Sequence, residues 1–246
     1  MALLDFTDQQ VLVVGGSTGI GNAIAQAFRG QGAAVHVTGT RHAAQDYSPA
    51  DISDLVGLGY SQLDLSDATA LKRWHTPFGS LDILILCHAF TRWDHEEYRA
   101  DTFRKVVEIN LNSVFDCAEH FRPLLRESRG SITIVNSVAA FRTLPGQPAY
   151  TASKSALLGL IRALAMEYIR EGIRVNGLAP GLVETKMGRG HENFAEMSKK
   201  VSRRLPIGRM AEPREMSGAV LFLSSPLASY VLGQTLIVDG GMMLLS

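Results

Sequence analysis

The stretch Val11-Leu12-Val13-Val14-Gly15-Gly16-Ser17-Thr18-Gly19-Ile20-Gly21 decides how this chain folds. Val11 to Val14 is a continuous apolar run rich in β-branched residues, the pattern of a strand covered on both faces. Directly after it, residues 19–30 place Ile20, Ala23, Ile24, Ala27 and Phe28 at helical spacing, giving one apolar stripe. A buried strand that turns through glycine into an amphipathic helix is the opening unit of a doubly wound sheet. The alternation continues outward from it. Residues 34–38, 60–63, 83–87, 131–135, 173–178 and 235–238 read as further strands, with 83–87 the strongest signal. Helices are expected at 68–75, at 150–170, and from 101 to about 125 with a bend or stop near Pro123. Residues 53–58 suit a short or irregular helix. No repeat or Pro/Ser/Gly-rich linker interrupts the pattern. The expected architecture is one α/β domain over residues 1–246, a Rossmann-like, doubly wound parallel sheet of seven strands with helices on both faces and right-handed crossovers.

Composition narrows the function classes. Of 246 residues, 46% are hydrophobic and 20% charged, which supports a large core and excludes global disorder. Lys plus Arg and Asp plus Glu both number 24, a balance that disfavours nucleic acid or an anionic membrane as the main partner. Two cysteines, Cys87 and Cys117, are too few for a disulfide scaffold and suit a reduced, cytoplasmic setting. Residues 1–10 carry Asp5 and Asp8 and do not read as a secretory signal. No apolar run approaches the roughly 20 residues that cross a bilayer.

The glycine turn has a chemical use beyond reversing the chain. Glycine permits positive φ, and bare backbone lets a pyrophosphate approach closely. The following helix offers unpaired N–H groups and the positive end of its dipole to phosphates. Gly15, Ser17, Thr18, Gly19, Ile20 and Gly21 are therefore candidate dinucleotide contacts. A P-loop is excluded, because no Gly-Lys-Ser/Thr closes the turn. About 20 residues on, an acid would hold the ribose 2′-hydroxyl of NAD. Thr38-Gly39-Thr40-Arg41 stands there without a carboxylate, and Thr40 and Arg41 suit a 2′-phosphate. NADP is favoured over NAD; the alternative is that Arg41 is merely solvated. Asp64 either accepts from the adenine amino group or serves as a helix N-cap. Leu65 and Ala89 complete the expected cofactor surface.

Tyr150 and Lys154 stand four residues apart at the start of a strong helix and fall on one face. A phenol with an ordinary pKa near 10 exchanges protons poorly at neutral pH, and an adjacent ammonium stabilises its phenolate. Ser137 ends the fifth strand, and Asn110 lies in the helix after the fourth. Taken in order, the glycine turn, Asn110, Ser137, the Tyr150/Lys154 pair and Pro180-Gly181 followed by Thr185 resemble a single-domain short-chain dehydrogenase/reductase over nearly the whole chain. The resemblance implies that Tyr150 exchanges the substrate hydroxyl proton and Ser137 hydrogen-bonds the carbonyl oxygen. Lys154 would lower the tyrosine pKa and hold the nicotinamide ribose, while Asn110 would position a water in a proton relay. Thr185, with backbone at Val183, would orient the nicotinamide carboxamide after the Pro180-Gly181 turn. The implied activity interconverts a secondary alcohol and a ketone with NADP (alternatively NAD), a 3-oxoacyl thioester or small ketone being a reasonable substrate.

Where the family usually carries Asn-Asn-Ala-Gly after the fourth strand, this chain has Leu86-Cys87-His88-Ala89, and His88 is expected to be a structural substitute. That departure motivates a rival reading, a non-catalytic dinucleotide-binding sensor or scaffold; retention of Asn110, Ser137, Tyr150 and Lys154 speaks against it. An epimerase or dehydratase acting on a sugar nucleotide is disfavoured, because little chain remains beyond the core for a substrate domain. The histidines and cysteines form no metal-like cluster, so no metal is expected. Residues 186–206 are expected to cover the substrate as a lid. There Lys186, Arg189, Lys199, Lys200, Arg203 and Arg204 oppose Glu192 and Glu196, as suits an anionic substrate or carrier, or else a solvated helix. Phe141, Leu144, Phe194 and Met197 either give the pocket apolar character or pack the core or lid. The resemblance also implies a homo-oligomer, a tetramer or dimer, through strand 235–238 and helices 101–125 and 150–170, with Phe115 and Leu158 as anchors.

Overall fold

A computed structural model describes residues 4–185 and 205–245 of the chain. Its strands are β1 (Gln10–Val14), β2 (Ala34–Gly39), β3 (Gly59–Gln62), β4 (Ile83–Leu86), β5 (Ser131–Val135), β6 (Arg174–Pro180) and β7 (Thr235–Val238). They form one parallel sheet in the order β3-β2-β1-β4-β5-β6-β7. The helices among the described residues are α1 (Gly19–Gly30), α2 (Ala70–Arg73), α3 (Ala100–Val107), α4 (Ser113–Ser128), α5 (Pro148–Tyr168) and α6 (Ser217–Ser224).

Side chains alternate across each strand, and both faces are apolar. Leu12, Val14, Leu84, Leu86, Ile132 and Ile134 face α4 and α5, where Phe121, Leu125, Leu157 and Ile161 meet them. Val11, Val13, Val35, Val37, Ile83 and Ile85 face α1 and α6, against Ile24, Phe28, Val220 and Leu221. That two-sided burial is why the strands read as unbroken apolar runs. Burying a side chain such as Phe28, which has no exposed surface, contributes about 1.5–3 kcal/mol.

Four expectations change. Residues 53–58 form no helix: a short 3-10 turn at Pro49–Asp51 precedes them, and the segment is pinned to α1 instead. The Asn22 amide donates to the Asp54 carbonyl at 2.8 Å and accepts from the Asp54 N–H at 2.9 Å, while Gly19 N–H donates to the Ile52 carbonyl. The helix expected at 68–75 shrinks to α2. The helix expected from 101 to about 125 is interrupted at the π turn Glu108–Asn112, and Pro123 neither ends nor interrupts it. Pro123 lies on the exposed side of the helix, where a lost backbone hydrogen bond costs least, while buried Phe121 and Leu125 hold the turn in place. Helix α6, led by Pro213–Met216, is an element the sequence pattern did not reveal.

Candidate active site

From β1 the chain winds toward β2 and from β4 toward β5, so a crevice opens beyond the carboxyl ends of these adjacent strands. A cleft of about 590 Å³ occupies it. The glycine turn forms one wall. Gly15 adopts φ +77°, and a Cβ there would lie 2.7 Å from the His88 backbone. A Cβ at Gly21 would lie 2.3 Å from the Gly15 carbonyl oxygen. Thr18, the N-cap of α1, makes no side-chain cap, and with Gly19 N–H on the Ile52 carbonyl the N–H groups of Ile20 and Gly21 are the ones a ligand can use. This cradle of bare backbone fits the pyrophosphate of a dinucleotide.

Ser17, Thr18, Gly19, Ile20, Thr40, Asp64, Leu65, Ala89, Pro180, Gly181, Val183 and Thr185 all line the same cleft, as do Ser137, Tyr150 and Lys154. Arg41 and Asn110 are not among the lining residues. Asp64 accepts the Ser66 N–H at 2.9 Å, the local turn-forming role, and its side of the cleft is exposed. Arg41 is not without a carboxylate, contrary to the sequence expectation. Asp51, ten residues on, receives both guanidinium nitrogens at 2.8 Å, and Arg41 stacks 4.5 Å over the Tyr47 ring. The fold of residues 42–51 brings the two together, which spacing along the chain could not show.

At the other end, α5 begins with Pro148, whose missing N–H costs nothing at a first helical position, and Tyr150 sits in the first turn. The Tyr150 phenol and the Ser137 hydroxyl line the same cleft, and Ser137 Oγ accepts the Ala139 N–H at 3.1 Å. Lys154, 2% exposed, donates from Nζ to the Val135 carbonyl at 2.9 Å and lies 5.6 Å from the Tyr150 ring centre. Burial holds the ammonium down to about 8. Burial also pushes the phenol up, the Ser137 hydroxyl opposes this, and Glu97 and Cys87 add to it. In this structure, then, the phenol's pKa lies above its ordinary value, with loss of water the leading cause. Asn110 lies in the π turn, 0% exposed, and its amide clamps the Phe90 backbone, accepting from N–H at 2.7 Å and donating to C=O at 2.8 Å.

His88 is held by its ring. Ser113 donates its hydroxyl proton to the Ile109 carbonyl at 2.7 Å, so His88 Nε2, 2.9 Å from that oxygen, carries the ring proton. The ring thereby ties the end of β4 to α4, while buried Nδ1 has no partner among the described residues. Burial, with the Lys154 cation, drives its pKa down to about 3. The unfolded chain takes up a proton below the ordinary value of 6.5 that the folded chain refuses, so acid favours unfolding. Stability should fall as pH drops from about 6.5 toward 3, by at most about 1.4 kcal/mol per unit from this ring. Denaturant titrations across that range should show a shallower slope in His88→Asn; His36, held down to about 4 by burial, keeps part of it.

The sequence reading missed Glu97, a buried carboxylate that meets the Tyr150 N–H at 2.9 Å. Nothing in Glu96-Glu97, an acidic pair in a charged segment, sets it apart from a solvated turn. Phe90, Trp93, Lys105, Leu144 and Gln147 line the outer cleft; Phe141 does not, and is 40% exposed. The expected lid, with Phe194, Met197 and its six basic residues, lies outside the described residues except at 205–206. No cluster of metal-ligating side chains occurs among the described residues.

A family model described as enoyl-(acyl carrier protein) reductase matches residues 14–243. The chain belongs to the short-chain dehydrogenase/reductase family. This short-chain dehydrogenase/reductase is an oxidoreductase, as its relatives are. It is 32% identical over 248 aligned positions to a 3-oxoacyl-(acyl-carrier-protein) reductase of Chlamydia muridarum, covering 96% of this chain and 97% of that one. It is 32% identical over 240 positions to a 3alpha-hydroxysteroid dehydrogenase of Mediterraneibacter gnavus, covering 93% and 94%. A solved structure described as a putative 2-deoxy-d-gluconate 3-dehydrogenase of Agrobacterium tumefaciens with bound NADP superposes with a TM-score of 0.86 at 30% identity, covering 99% and 100%.

Proposed function

We propose that this oxidoreductase interconverts a ketone and a secondary alcohol with NADP, Tyr150 serving as general acid in reduction and general base in oxidation. The observation that carries the reading is the convergence of Ser137, Tyr150 and buried Lys154 on the lining of one cleft. The bound nicotinamide supplies or accepts the hydride. The chain's own residues do the rest. Ser137 is oriented by the Ala139 N–H, which leaves its O–H to donate to a carbonyl oxygen on which charge grows. Tyr150, kept neutral by burial, delivers the proton to the same oxygen. Lys154 spends one N–H on Val135, so its remaining donors suit ribose hydroxyls. Asn110 keeps the Phe90 backbone in register beneath the substrate end. A panel of ketones and alcohols with NADPH, NADP, NADH and NAD tests this; no turnover across it would sink the reading in favour of a binding protein.

NADP preference is supported by Arg41 and by the NADP in the Agrobacterium structure. Because Asp51 occupies the Arg41 fork, a 2′-phosphate must share or displace that carboxylate. Arg41→Ala is expected to weaken NADPH binding roughly tenfold with NADH unchanged, and Asp51→Asn to tighten NADPH, both read by fluorescence titration. Equal effects on the two cofactors would count against a phosphate site. A 3-oxoacyl substrate is supported by the name of the Chlamydia relative, and Phe90, Trp93 and Leu144 beside Lys105 suit an apolar ketone with an anionic end. Residues 186–206 would cover it, within a single cytoplasmic domain over residues 1–246. Leu236 and Ile237 on edge strand β7, 40% and 38% exposed, and Phe115, 44% exposed, support a homotetramer through those surfaces.

A further inference from the structure

Glu97 has no exposed surface, and among the described residues no lysine or arginine pairs with it; neighbouring Arg92 pairs with Glu96 at 3.6 Å. A buried carboxylate without a counter-ion is costly unless hydrogen bonds satisfy it. Three do. Oε1 accepts the Thr91 hydroxyl at 2.8 Å and the Arg92 N–H at 3.2 Å, and Oε2 accepts the Tyr150 N–H at 2.9 Å. The backbone is strained nearby, since Asp94 and His95, two non-glycine residues in succession, adopt φ +57° and +63° and are separated from Glu97 only by Glu96.

Helix α5 lacks a cap of its own. Gln147 at the N-cap makes no side-chain cap, because its amide donates instead to Thr91 Oγ1 at 2.8 Å. A carboxylate at a helix N-terminus satisfies an orphan N–H and complements the dipole. Here it comes from another segment, and it binds the N–H of the residue that carries the phenol.

We propose that Glu97 is a positioning residue for Tyr150, capping the first turn of α5 from outside the helix and keeping a buried negative charge beside the phenol. The proposal rests on the reading of Tyr150 as general acid. The charged or titratable groups around that phenol are Lys154 on its own helix, Cys87 just after β4, and Glu97, with the Ser137 hydroxyl in the same cleft. Glu97 and Lys154 act in opposition: the carboxylate favours the protonated donor, the ammonium the phenolate.

Glu97→Gln preserves size and removes the charge. Ultraviolet difference titration of cofactor-free protein, with Tyr150→Phe identifying the relevant tyrosine, should show the Tyr150 midpoint at lower pH in Glu97→Gln. The kcat for ketone reduction should fall roughly tenfold with KM within about twofold, as misalignment of a proton donor predicts. An unchanged or higher midpoint overturns the proposal, and so does a loss confined to KM. Thr91→Val severs the Gln147–Thr91–Glu97 chain while keeping the charge, and covers the case in which Glu97→Gln does not fold. It should lower kcat several-fold without moving the midpoint; wild-type kcat in Thr91→Val overturns the positioning role. The titration needs no turnover, so an inactive wild-type chain would sink the oxidoreductase mechanism while this measurement still decides the place of Glu97.

Discussion

Tyr150→Phe should reduce kcat for ketone reduction by about a thousandfold, within the range by which positioned acids and bases accelerate proton transfer. The substitution removes one oxygen. The residue is held by its backbone N–H on Glu97 and by packing of the ring beside Lys154, and phenylalanine keeps both. NADPH affinity and thermal midpoint should therefore stay close to wild type. The pH profile follows from the direction of the shift. Reduction uses the neutral phenol, which exists below its pKa, and burial holds that pKa above its ordinary value. Reduction should thus be flat through neutral pH and decline only in alkali, while oxidation, which needs the phenolate, should rise with pH. A variant that keeps more than a tenth of wild-type turnover would mean that the proton comes from elsewhere.

The elements legible in the sequence are those whose local pattern and tertiary role agree. Helix α1 was bounded correctly because its apolar stripe coincides with the face it buries, and strands β5 and β7 because both are short runs set off by polar or glycine residues. The exceptions were decided by contacts distant in sequence. Pro123 reads as a helix stop, but the packing of Phe121 and Leu125 overrides the local preference. The π turn around Asn110 spans only five residues, too short a stretch for periodicity to mark it off from the helices on either side.

The site divides the same way. Glycines that must admit a backbone neighbour, and a Tyr/Lys pair on one helix face, are spelled out locally, and every expected contact except Arg41 and Asn110 lines the cleft. The ion pair that occupies Arg41 and the carboxylate beneath Tyr150 are acidic residues in charged loops. Only the fold reveals which of many such acids is buried or clasped. The direction of the phenol shift is another property that spacing does not report. Spacing reports that Lys154 is near, but not that both groups have lost their water, and that loss dominates.

Gly21→Ala should weaken dinucleotide binding by about a hundredfold or more, equivalent to about 2.7 kcal/mol. The added methyl would lie 2.3 Å from the Gly15 carbonyl oxygen, 3.0 Å from Gly16 Cα and 3.1 Å from the Gly15 carbonyl carbon. All three are backbone atoms, so no rotamer change relieves the overlap. The turn has little room to retreat, because the backbone of His88 closes the other side of Gly15. Relief must come from opening the loop that cradles the pyrophosphate, and that loop's N–H groups then lose their aim. Overpacking of this kind costs folding stability as well, about 1–3 kcal/mol. Gly30→Ala is the matched control: it lies at the far end of the same helix, and a Cβ there meets nothing within 4 Å. It should bind NADPH as wild type does and be as stable or slightly more so, since alanine restricts the unfolded chain. If Gly21→Ala retained wild-type affinity in a fluorescence titration while Gly30→Ala behaved as expected, the glycine turn would not be where the phosphates sit.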